Sequence, residues 1–209
     1  MKHVSIEGMD GVGKTTVCRL LSKRLGVEFV EKPLHLLTDE GDKEADWVNY
    51  FRIRDKVNAS PDRIFTSWFY GLQYLYLQAE WGDKDIVTDR YILSNYAWSG
   101  TLESKPVFEL LSRVLRKPDL NVILLAKAET IRARAAKRDA GDADIEKANK
   151  AKEIYRKMKE FSLIYHWPSW VIHTDGMTPE EIADLIIEKG EEIAERQKEG
   201  ELWIETETN

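Results

Sequence analysis

The chain has 209 residues, about 43% of them apolar, with a formal net charge of −6 and a single cysteine. That length suits one domain, with or without a small lid, and the apolar content can build a core, which sets intrinsic disorder aside. The interspersed, net acidic charge offers no overall basic footprint for a nucleic-acid polymer, and one cysteine excludes an intramolecular disulfide framework and a cysteine-based zinc cluster.

In chain order, residues 3–7 read as a short, nearly continuous apolar strand. Gly8-Met9-Asp10-Gly11-Val12-Gly13-Lys14-Thr15 follows and matches G-x-x-x-x-G-K-[ST] at every fixed position, before a helical pattern over 15–25. Strand, glycine loop and helix in that order are the context the motif needs. Glycines let the backbone curl so that amides point inward at phosphate oxygens, and the helix N-terminus adds partial positive charge. Lys14 is expected on the β- and γ-phosphates of ATP and the Thr15 hydroxyl on Mg²⁺. Gly8, Asp10, Gly11, Val12, Gly13 and Thr16 complete the expected phosphate cradle. Cys18 lies in the amphipathic run of Val17, Leu20, Leu21 and Leu25, where a buried structural thiol is expected.

A second strand over 27–31 ends at Glu31-Lys32, and a long helical pattern covers 63–81. Its aromatic residues fall on several faces, so most belong to the core or an interface. The third strand, 86–89, ends at Asp89-Arg90. Asp89 has two readings, a carboxylate for the Mg²⁺ shell or a cap on the next helix; the glycine loop favours the first. Arg90 offers a planar fork suited to a phosphate. Further on come a helix over 106–115, a strand over 122–126 and a helix over 128–138. Arg132, Arg134, Lys137 and Arg138 on that last helix are either a solvated face or cations delivered by a closing lid. The small acidic stretch DAGDAD, 139–144, is either that lid or an ordinary loop. A helix over 145–164, a strand over 170–173 and a helix over 179–197 complete the pattern. Residues 1–197 are expected to form one domain with a lid near 134–146, and 198–209 a tail.

Five short apolar strands threaded by helices predict a doubly wound α/β fold, with a parallel sheet covered on both faces and ligands outside its carboxyl ends. No segment has a leader or membrane-span pattern, so a cytosolic protein with no membrane partner is expected. The four histidines show no metal-ligand spacing.

These motifs resemble the thymidylate kinase family of phosphate-loop nucleoside monophosphate kinases. GMDGVGKTT resembles its phosphate loop, and Asp89-Arg90-Tyr91-Ile92-Leu93-Ser94-Asn95-Tyr96-Ala97-Trp98-Ser99 its D-R-Y-x-x-S-N-x-A-Y-S segment. Pro118-Asp119-Leu120 resembles its P-D-L strand, and 128–138 the helix entering its lid. The resemblance spans roughly residues 2–187 and implies the phosphate-loop NTPase fold and ATP-dependent conversion of dTMP to dTDP. It implies that Arg90 and Ser94 bind the acceptor, that Asp10 lies near the sugar and the transfer site, and that Phe69 stacks on the base while Asn95 hydrogen-bonds it. Trp98 takes the place of a tyrosine beside the sugar 2′ position. The family's catalytic arginine sits in the phosphate loop or the lid; Met9, Asp10 and Val12 leave Arg134 and Arg138. Members are commonly homodimers packed through helices, which would bury Leu72, Leu75 and Tyr76.

Two departures stand out. Gln73 replaces the arginine that donates to the thymine carbonyl, and Glu31-Lys32-Pro33 replaces an arginine-bearing sequence after the second strand. The same departures resemble deoxynucleoside kinases, in which Glu31 would be the general base for a 5′-hydroxyl. A third reading is a nucleotide-dependent regulatory protein without transfer. The acidic Asp10 and the Asp-Arg strand end favour the monophosphate kinase.

Overall fold

The computed structural model describes residues 2–38, 43–138 and 148–198. Five parallel strands form one sheet: β1 (His3–Gly8), β2 (Glu28–Glu31), β3 (Ile86–Asp89), β4 (Leu120–Leu125) and β5 (Ser169–His173), in the order β2-β3-β1-β4-β5. The register pairs Val4 with Val87 and Leu120, and Glu31 with Asp89. Gly8, Glu31 and Asp89 therefore finish on one carboxyl edge. The chain crosses from β1 outward to β2 on one side and, later, to β4 on the other, so the loop after β1 sits where strand order reverses, the usual ligand position in such sheets.

The helices among the described residues are α1 (Lys14–Leu25), α2 (Lys43–Ala59), α3 (Arg63–Trp81), α4 (Ile92–Ser99), α5 (Lys105–Val114), α6 (Ala128–Arg138), α7 (Ala151–Ile164) and α8 (Pro179–Lys198), with short 3-10 turns at Pro33–Thr38 and Ala148–Lys150. Helix α1 packs against α8 and β3, whereas α4 packs against α3 and α7. Covered from both faces, β1, β3 and β4 are almost wholly buried, as their continuous apolar runs require. Cys18 is buried beneath the glycine loop, its thiol directed at the Thr88 carbonyl 3.7 Å away.

Three elements depart from the sequence reading. Strand β4 begins two residues earlier than expected, at Leu120. The helix expected over 145–164 is a 3-10 turn from Ala148 followed by α7, with 145–147 outside the described residues. Helix α2 was not anticipated at all. Its apolar residues Trp47, Val48, Phe51, Ile53 and Val57 follow no single stripe, so periodicity gives no signal. Most of the lid expected near 134–146, from 139 onward, and all of the tail expected over 198–209 except residue 198 lie outside the described residues.

Candidate active site

The glycine loop is shaped by what surrounds it. A Cβ on Gly8 would stand 2.5 Å from the Leu124 carbonyl oxygen, and the backbone there has φ +136°, so only glycine lets β1 turn off so close to β4. At the far end Gly13 caps α1 in the left-handed region, with open space beside its α-carbon. Lys14 is 6% exposed and donates to the Met9 carbonyl at 2.8 Å, crossing the mouth of the loop. Burial, then the neighbouring Arg90, lower the Lys14 pKa, so an arriving phosphate would stabilise the ammonium. Thr15 donates its hydroxyl to Asp89 Oδ2 at 2.5 Å, which joins the helix start to the end of β3. Thr16 is exposed at the first turn.

Arg90 supplies a second cation beside the loop. Its guanidinium donates to the Gly8 carbonyl at 2.8 Å, to Ser94 Oγ at 3.1 Å and to Asp10 Oδ1. Asp10 also lies 4.0 Å from the Lys14 ammonium, so this one carboxylate stands between the two cations. Burial opposes the Arg90 charge, but Asp10, Asp89 and Glu7 outweigh it and raise its pKa. The Arg90 backbone has φ +76°, a left-handed conformation costly for a residue with a Cβ. Two bonds enforce it: the Arg90 amide donates to the Ile6 carbonyl at 2.9 Å and the Tyr91 amide to Glu7 Oε1 at 3.0 Å.

Glu7 was missed by the sequence reading. It is fully buried and accepts from Tyr91 N, Ser94 N at 3.2 Å, the Ser94 hydroxyl and the Ser5 hydroxyl at 3.3 Å. Burial pushes its pKa up, while those bonds and Arg90 pull it back. Because Ser94 gives its proton to Glu7, its oxygen is free to accept from Arg90. A carboxylate inside a strand expected to be buried was the available signal, since such groups are buried only with partners.

Beyond Arg90 opens a cleft of about 490 Å³, a size typical of small-molecule sites. Its lining contains Asp10, Lys32, Gln73, Asp89, Arg90, Ser94, Asn95 and Trp98 of the sequence-derived set, brought together from four separate stretches of chain. Helix α2 adds Tyr50, Arg54, Asp55 and Asn58, and α3 adds Arg63, Thr66, Tyr70 and Tyr74.

Four expected residues stand differently. Phe69 is not part of the lining; Thr66, Tyr70, Gln73 and Tyr74 share the cleft face at helical spacing, and Phe69, turned about 100° back from Tyr70, meets that ring edge-on at 5.2 Å. Glu31 is absent from the lining too, its carboxylate paired with the Lys32 ammonium. Asn95 is anchored at both ends, donating to the Ser67 carbonyl at 3.0 Å and accepting from the Ser99 hydroxyl at 2.6 Å. Arg134 reaches the outer side of the glycine loop and donates to the Val12 carbonyl at 3.0 Å and the Thr174 carbonyl at 3.1 Å. The Arg138 side chain lies outside what the structure describes.

A thymidylate kinase family model matches residues 70–185, more than half of the chain. The chain belongs to the thymidylate kinase family. It is accordingly an enzyme of the nucleoside monophosphate kinase class. The match begins after the glycine loop, so the loop is a separate sign of nucleotide phosphate binding. Over 188 residues the chain is 27% identical to the probable thymidylate kinase of Methanocaldococcus jannaschii, with 88% of this chain and 93% of that protein covered. Among solved structures, thymidylate kinase from Candida albicans superposes with TM-score 0.63 at 19% identity, covering 98% of this chain and 96% of that one. Deoxyadenosine kinase from M. mycoides with bound dATP superposes with TM-score 0.59 at 16% identity, covering 90% and 98%. At those identities the two structures establish the shared phosphate-loop kinase fold.

Proposed function

We propose that this thymidylate kinase family enzyme transfers the γ-phosphoryl group of ATP to a deoxynucleoside 5′-monophosphate, dTMP first, with Mg²⁺. The observation that carries this reading is Asp10 held between the Lys14 ammonium and the Arg90 guanidinium. Two cationic grips this close, one on a glycine loop and one facing a cleft, suit a triphosphate tail and a second, smaller anion meeting end to end.

Thr15 and Asp89 would hold the metal. A hydroxyl and a carboxylate already in hydrogen-bond contact form a hard-oxygen pair, and Mg²⁺ characteristically takes only one or two protein ligands beside phosphate oxygens and water. When bound, the ion neutralises charge on the phosphates. Lys14 and the loop amides orient the γ-phosphoryl group, while Arg90, fixed by Gly8 and Ser94, presents the acceptor phosphate in line. An acceptor oxygen forms the new bond to phosphorus as the bond to the β-phosphate oxygen breaks, leaving ADP and the acceptor diphosphate. The acceptor dianion needs no strong base. Glu31 is paired with Lys32 and is not itself part of the cleft lining, which supports a monophosphate rather than a 5′-hydroxyl as acceptor. Arg134 and Arg138 are proposed to reach the transferred group when both nucleotides are present.

We also propose a homodimer. Phe65, Trp68 and Leu72 form an exposed apolar stripe along α3, at 50%, 40% and 48% exposure, and ultracentrifugation of the chain should give twice its mass.

A coupled assay of ADP release with dTMP, dCMP, thymidine and deoxycytidine tests the reaction. Turnover of the monophosphates is expected; turnover of the nucleosides alone, or ATP binding without ADP release, would overturn it. Lys14→Ala should cut turnover by at least about a hundredfold, the usual loss for one charge-stabilising donor, with the far-UV circular dichroism unchanged.

A further inference from the structure

Three side-chain amides line the cleft, and they differ in what holds them. Asn58 is exposed and accepts the Tyr70 hydroxyl at 2.8 Å. Asn95 is buried and bonded at both ends, so its orientation is fixed. Gln73 is 5% exposed, and its Oε1 is buried with no hydrogen-bond partner; among the described residues nothing bonds either end of the amide. Of the other α3 residues in the lining, Thr66 donates its hydroxyl to the Asp62 carbonyl at 2.9 Å and Tyr70 its hydroxyl to Asn58. A buried amide left without a partner is destabilising, and a base bound in the cleft would relieve it.

A 180° turn about the terminal bond of glutamine exchanges oxygen and nitrogen within the same volume, and that torsion is broad and roughly two-fold. Thymine and uracil present a ring N–H beside a carbonyl; cytosine presents an amino group beside an unprotonated ring nitrogen. An amide meets each edge in one of its two orientations, whereas a side chain with donors alone meets only acceptors.

We propose that Gln73 is a rotatable base reader, and that the acceptor site takes both keto and amino pyrimidine deoxynucleoside 5′-monophosphates. This rests on the monophosphate kinase reading above. A fixed polar reader in a buried site rejects the wrong partner by about 10⁴-fold or more, so the ratio between the two substrates decides the question.

The test measures dissociation constants for dTMP and dCMP by calorimetry on the whole chain without ATP, together with kcat/KM for each. The two monophosphates should agree within about tenfold, far less than a fixed reader would allow. Gln73→Arg should raise the dTMP preference at least about tenfold by removing the acceptor. Gln73→Met, of similar shape and without donor or acceptor, should weaken both ligands by a similar factor, and it keeps the test open if the arginine variant fails to fold. Discrimination beyond about a hundredfold in the wild-type chain, binding of neither monophosphate, or no effect of Gln73→Met on either affinity would overturn the proposal. Equal binding of both without phosphoryl transfer would instead defeat the reaction assigned above and leave the reader standing.

Discussion

Glu7 never touches the cleft, yet it decides where Arg90 points. Its carboxylate fixes Tyr91 and Ser94 on either side of the turn that Arg90 opens, and the Ser94 oxygen then receives the guanidinium. Glu7→Gln presents an amino group to partners that donate, so the strained Arg90 backbone loses one of its two restraints. The expected result is an acceptor KM raised by about tenfold or more, with the ATP KM nearly unchanged, since one lost buried bond is worth about 1–3 kcal/mol. Equal changes in both KM values would mean a general loss of packing instead. Ser94→Ala should reproduce the acceptor effect, and combined with Glu7→Gln it should add little, because the two act through one chain of bonds.

At the scale of elements, α3 is the working wall. It supplies Thr66, Tyr70, Gln73 and Tyr74 to the cleft on one side and an apolar stripe to solvent on another. Its start is set by Asp62, whose carboxylate accepts the Phe65 amide at 2.9 Å and so fills one of the open N–H groups of the first turn. Asp62→Ala should lower stability by about 1 kcal/mol in urea titration without changing kcat. Helix α6 has a cap borrowed from across the fold. Asp175, after β5, accepts the Lys127 amide at 3.1 Å and the Thr130 hydroxyl at 2.5 Å, and though burial opposes it, these bonds hold its pKa low. That contact ties the start of α6 to the loop whose Thr174 carbonyl receives Arg134.

For the molecule as a whole, the buried His3 makes folding sensitive to acid. It is 1% exposed, its Nε2 shares a hydrogen bond of 3.0 Å with Thr88 Oγ1, and burial, aided by Arg116, lowers its pKa to about 3. Below its ordinary value of 6.5 the unfolded chain takes up a proton that the folded ring refuses. Stability from this group is thus fully present above pH 6.5 and is lost as the pH falls toward 3, at about 1.4 kcal/mol per pH unit. His3→Gln should reduce the slope of unfolding free energy against pH by about that amount across this window; an unchanged slope would show that the ring is protonated in the folded state.

The sequence by itself determined the glycine loop, the alternation of strands and helices, and the strand-end Asp89-Arg90, because each is a local pattern whose chemistry needs particular residues at fixed spacing. Family membership was likewise legible in contiguous motifs. Only the tertiary structure decided which residues share a space. Helix α2 entered the cleft unannounced because its apolar residues mark no single face, and Tyr70 stands on the wall instead of Phe69 because one residue of helix is a turn of about 100°. The roles of Glu7 and Asn95 were equally hidden. The bonds of Glu7 to Tyr91 and Ser94 span 84 and 87 residues and that of Asn95 to Ser67 spans 28, and a buried polar group takes its meaning from what it bonds.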